Sequence, residues 1–98
     1  MPEMHFTVRW PDGEDMRCYS PSLVVRQYLE VGRSYALPDF MQRSREMLSH
    51  GSERVRAKYG YACSAAMDQL QEIETRAAGF PSAARVTVTS FELPEGFW

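Results

Sequence analysis

The sequence predicts a small α+β domain: a short antiparallel β-sheet, built from an N-terminal hairpin plus a C-terminal strand, with two main helices packed on one face. Three observations carry that expectation. The opening segment "MHFTVRW" alternates apolar and polar residues, two central segments repeat apolar residues at helical spacing, and "RVTVTSFEL" near the end alternates again. A chain of 98 residues has room for one core, so residues 1–98 read as a single domain with an aromatic tail at 93–98.

In the first strand Met4, Phe6, Val8 and Trp10 face one way, and His5, Thr7 and Arg9 the other. "PDG" turns the chain and "EDMRCYS" returns it. Parity sets the turn. A two-residue Asp12-Gly13 loop would pair Val8 with Arg17 and put Met16 on the wrong face. A three-residue Pro11-Asp12-Gly13 loop pairs Val8 with Met16 and Phe6 with Cys18, which keeps the apolar sets together. The expectation is that loop, with Gly13 left-handed and a bulge; a five-residue loop also satisfies parity.

"SPSLVVRQYLEVG" carries two signals. Ser20-Pro21 resembles a helix cap and first position, and Val24, Tyr28 and Val31 fall at helical spacing, whereas "LVV" favours a strand. The reading adopted is a short helix ended by Gly32. "LPDFMQRSREMLSHGSERVRAKYG" is a long helix with Pro38 and Asp39 at its start and Gly60 as its stop. Its apolar stripe is Phe40, Met41, Met47, Leu48, Val55 and Tyr59. Gly51 inside it costs about 1 kcal/mol relative to alanine and marks a place for a kink. "SAAMDQLQEIETRAAG" is a second helix that buries Ala66, Met67, Leu70, Ile73 and Ala77 and stops at Gly79. In the last strand Val86 and Val88 share one face and Phe91 and Leu93 the other, a switch that a bulge would explain.

The bulk numbers narrow the function classes. With 11 basic and 13 acidic residues the net charge is −2, which gives no global pull toward nucleic acid or an anionic membrane. Met1 leads straight into a polar strand-like segment, without a secretory leader or a run of membrane-helix length. A cytoplasmic chain is expected, in which Cys18 and Cys63 stay reduced.

Cys63 is the one residue placed for nucleophilic or redox chemistry, in "KYGYACSAAMDQL" at the start of the second helix. Free N–H groups there stabilise a thiolate. The alternative is a small hydrophobe packed beside Ala62, Ala65 and Ala66. Cys18 faces the predicted core and is expected to be inert. The two histidines and two cysteines show no paired spacing, so no metal and no cofactor are expected. Asp68 and Glu72 share a helix face and read as solvated rather than as an acid–base pair. Arg43, Arg45, Arg54 and Arg56, with Lys58, make the long helix locally basic; the candidate anion-binding residues are Arg54 and Arg56. The five tyrosines and the "PEGFW" ending favour interfaces over active sites, with Tyr59, Tyr61 and Trp98 as candidate contact residues.

The strings "RWPDG", "CYSPS", "SERVRAKYGYACSAAMDQL" and the "EIE" that follows resemble a family of small bacterial nitrogen-starvation response proteins. The resemblance runs from Met4 to Phe91 and, in the second-helix string, covers Lys58, Tyr59, Gly60, Ala62, Cys63, Ser64, Asp68, Gln69 and Leu70. Members are associated with a gene cluster that holds a nitrilase, a radical-SAM protein, an acetyltransferase-like protein and a flavoprotein. What this implies is a pathway, nitrogen limitation and the use of nitriles, and not a set of catalytic residues. The expected function is a small accessory or binding protein, a homodimer working with enzymes of that cluster, and more an adaptor than an enzyme. The alternative is a small enzyme or redox-responsive protein that uses Cys63.

Overall fold

The computed structural model describes residues 4–21, 23–60 and 64–93, without the side chains at 54, 55, 58 and 59. Two strands open the chain, β1 (Met4–Arg9) and β2 (Asp15–Ser20), followed by a short 3-10 helix at Leu23–Gln27. Strand β3 (Ser34–Ala36) leads into helix α1 (Leu37–Tyr59), then come helix α2 (Ser64–Ala77) and strand β4 (Arg85–Glu92). The sheet is antiparallel in the order β2-β1-β4-β3. Both helices pack against the sheet, as the α+β reading requires.

The hairpin has the parity argued from the sequence. Phe6 pairs with Cys18 and Val8 with Met16. Trp10 N–H donates to Glu14 O at 2.9 Å and closes the three-residue loop, in which Gly13 has φ 88°. Asp12 Oδ1 accepts Glu14 N–H at 3.0 Å, a local bond that suits an aspartate in a tight turn.

The face switch in the last strand is resolved by a bulge. The β1–β4 register passes from Val8↔Val88 to Thr7↔Ser90 and leaves Thr89 unmatched. Thr89 Oγ1 donates to Thr7 O at 3.2 Å, and Phe91 comes opposite Phe6. Val88 and Phe91 thereby serve the same core.

Where the sequence reading expects a short helix ended by Gly32, the described residues form a 3-10 helix at Leu23–Gln27. Val24, Val25 and Leu29 are buried, whereas Val31, expected on the apolar stripe, is 51% exposed. Val31 lies four residues past the end of the 3-10 helix, in the turn at Gly32, so helical spacing does not reach it. Gly32 ends the segment at φ 85° and donates its N–H to Val88 O at 2.7 Å. Strand β3, which the sequence reading did not include, follows at once.

Helix α1 runs unbroken through Gly51. The glycine is a packing device: a Cβ there would collide with the ring of Pro21 and lie 3.5 Å from Val24 Cγ1. The close approach ties the end of β2 to the middle of α1. Gly60 ends the helix at φ 80°, its N–H donating to Arg56 O. Phe40, Met41, Met47 and Leu48 of the predicted stripe are buried; Val55 and Tyr59 have no described side chain.

Helix α2 buries Ala66, Leu70, Ile73 and Ala77 as expected, but Met67 is 49% exposed and Gln69 is buried in its place. The helix is rotated so that the Gln69 carboxamide reaches the sheet. Its Oε1 accepts Tyr19 N–H of β2 at 2.8 Å. A main-chain donor beside the core needs an acceptor, and that requirement outweighs the burial of a methionine.

Candidate functional site

Helix α2 runs from the end of β2, where Gln69 meets Tyr19, to the β1–β2 turn, where Arg76 reaches Asp12 and Glu14. Between α2 and β2 lies an open cleft of about 660 Å³. Met16 and Phe80 supply apolar lining, Thr75 and Gly79 small lining, and Asp68 and Glu72 the carboxylates. Met16 shares the inward parity of Cys18 on β2, but α2 covers it incompletely, so it is half-buried.

The electrostatics are lopsided. Arg76 donates to Asp12 Oδ2 at 3.0 Å and to Glu14 Oε2. The bond to Glu14, and then the charges of both turn carboxylates, raise the guanidinium's affinity for its proton. The arginine is therefore committed to the turn. Asp68 and Glu72, one helical turn apart, form no ion pair among the described residues. Like charges at that spacing repel by a few tenths of a kcal/mol, which a bound cation would relieve.

Phe80 also lines a second cleft, of about 420 Å³, on the other flank of α2 with Leu37, Met41, Arg45, Glu74 and Ala77. There the charges are matched, Arg45 to Glu74 at 3.5 Å. Phe80 stacks on Trp10 at 5.9 Å with an interplanar angle of 12°, and Trp10 meets Phe40 edge-on at 5.7 Å. The two clefts thus share one aromatic support.

Cys18 lies behind the first cleft. Burial, and secondarily the Glu72 carboxylate, push its thiol up to about 12. It is a core residue with almost no thiolate at neutral pH. Among the described residues no cluster of three or more histidines, cysteines or carboxylates is placed to hold a metal ion. None of the described helices is long and apolar enough to cross a membrane.

Of the residues weighed from sequence, Asp68 and Glu72 line this cleft. Cys63, Tyr61 and Trp98 lie outside the described residues, as do the side chains of Tyr59 and Arg54; Arg56 is exposed in the last turns of α1. The basic face is partly spent inside the molecule. Arg43 donates to Asp39 and to Tyr28 O and lies 4.9 Å over the Tyr35 ring. Tyr35 is buried, and its hydroxyl accepts Glu30 N–H, so it serves the fold rather than a surface. Met16, Arg76 and Phe80 were not sequence candidates. The readable signal was the Asp68/Glu72/Arg76 spacing, three charged positions on one helix face opposite the inward side of a hairpin.

Comparison with curated proteins finds no match, and comparison with solved structures finds none either. A family model does match, over residues 5–91, and it spans the hairpin, both helices, the cleft between α2 and β2 and nearly all of β4. The chain belongs to the NitG family of nitrogen starvation-induced proteins.

Proposed function

We propose that this nitrogen starvation-induced protein is an accessory binding protein whose working surface is the cleft between α2 and β2, and that its partners are enzymes of the starvation response, those of nitrile use among them. The observation that carries the reading is the pairing of an apolar lining with two carboxylates that form no ion pair among the described residues, the cleft's Arg76 being bound to the turn. A surface of that kind binds by apolar burial and selects by charge. The proposal includes the homodimer expected from the sequence and a cytoplasmic site of action.

Purified chain mixed with each enzyme encoded beside it, followed by sedimentation, tests the reading. The expected result is a complex weakened at least tenfold by Thr75→Arg, an exposed substitution in the cleft wall. No complex with any of these enzymes, together with Cys63 alkylation at an apparent pKa below about 7 in a Cys18→Ser background, would replace it with the cysteine-based alternative. Light scattering that shows only the 11.3 kDa species at micromolar concentration would remove the homodimer.

A further inference from the structure

The cleft has a backbone as well as a lining. The Trp10–Glu14 bond and the β1–β2 register turn the main-chain groups of Met16, Cys18 and Ser20 toward β1. Those of Asp15, Arg17 and Tyr19 therefore point outward, and the Tyr19–Gln69 bond confirms the direction. Gln69 takes the Tyr19 N–H. The outward groups of Asp15 and Arg17 stand at the sheet edge, alongside the cleft lined by Met16, Asp68, Glu72 and Phe80.

We propose that β2 accepts an extended segment of a partner protein as a fifth strand, which sets a lysine or arginine against Asp68 and Glu72 and apolar side chains toward Met16 and Phe80. The inference rests on the binding role proposed above and gives the partner's conformation and chemistry. Strand addition draws affinity from main-chain bonds and specificity from alternate side chains, and this edge offers both. Every second side chain of an added strand faces the cleft, because the sheet's inner face continues under α2.

Charge complementarity decides the occupant. A second copy pairing β2 with β2 would bring two Asp68/Glu72 pairs toward one axis, whereas a basic segment neutralises them. Gln69 also sets a limit on length, because it holds the Tyr19 end of the edge and leaves room for a short strand only.

The probe is a seven-residue peptide with threonine at odd positions and leucine, lysine and leucine at even ones, free of charge at its ends. It is expected to bind at micromolar to submillimolar concentration, more weakly as salt rises, and to slow hydrogen exchange at the Arg17 amide. Binding falls at least tenfold in the Asp68→Asn/Glu72→Gln double variant, whose exposed isosteric changes leave the fold intact. Two further peptides, N-methylated at the odd or at the even positions, separate strand pairing from simple cleft binding. One of them is expected to lose binding and the other to keep it, since only one set of amides faces β2. Equal binding by both would overturn the fifth strand while leaving a binding protein. Failure of the parent peptide to bind would also overturn it, and the sedimentation experiment with whole enzymes then decides the broader reading by itself. Protection of the Arg17 amide without peptide, together with a doubling of mass, would show that a second copy holds the edge and would overturn the proposal.

Discussion

The two edges of the sheet are finished in opposite ways. At β3 the strand is three residues long, Arg85 donates to the Ser34 carbonyl at 3.0 Å, and the chain enters α1 at the next residue. At β2 the strand is six residues long, and the Gln69 side chain meets it at the Tyr19 amide. Open edges invite pairing with other chains, and proteins usually blunt them. Among the described residues, the Ser34 carbonyl of one edge is capped, whereas the outward main-chain groups of Asp15 and Arg17 on the other, beside the acid-rimmed cleft, have no such cap. That difference, together with the cleft, is what supports β2 as the proposed docking edge.

The largest effect that bears on the comparison is at Trp10. It is fully buried between Phe40 and Phe80 and closes β1 into the turn. Trp10→Ala is expected to cost about 3–5 kcal/mol in urea unfolding. Hydrogen exchange sharpens the result: amides of the β1–β2 hairpin should lose protection before those of β3–β4. Equal loss across the sheet would mean that the two edges behave as one unit.

Alkali tests the sealed side of β2. In the folded protein the Cys18 thiol is raised to about 12 from an ordinary value near 9. Below pH 9 both states hold the proton and the stabilisation is complete. Above it the unfolded chain ionises first, so stability falls as pH rises from 9 toward 12. About 1.4 kcal/mol should be lost by pH 10, and this slope should be smaller by that amount in Cys18→Ala. A wild-type slope no steeper than the variant's would mean that the interior of β2 is as open as its edge.

The parts of the fold set by local chemistry were legible in the sequence. Strict alternation in β1 and the parity of Pro11–Gly13 led to the hairpin register, and Pro38 and Gly60 bracketed α1. What escaped depended on partners distant in sequence. Strand β3 is too short for a pattern and exists because β4 lies beside it. Gly51 looked like a kink and is instead a seat for Pro21, thirty positions earlier in the chain. Gln69 was not among the residues that helical spacing buried; the Tyr19 amide, fifty residues away, explains its burial. The cleft was half legible for the same reason: the shared face of Asp68, Glu72 and Arg76 could be read from spacing, but it becomes a rim only when β2 supplies Met16 opposite it.

The smallest expected effect is also the most direct test of the edge comparison. Gln69→Leu removes the acceptor of the Tyr19 amide, but it also removes a buried Nε2 that has no partner among the described residues. The two changes offset each other, so the stability loss should be no more than about 1 kcal/mol. Its consequence should lie elsewhere. With Gln69 no longer held on the Tyr19 amide, β2 should present a longer edge for a regular ladder, and apparent mass by light scattering should rise with concentration above that of the parent. Arg85→Met makes the matching change at β3 by uncovering the Ser34 carbonyl, yet three residues that run straight into a helix give an incoming strand too little to hold. It should leave the apparent mass unchanged. Equal self-association in the two variants would mean that edge length, and not the cap each edge carries, has no part in keeping β2 selective.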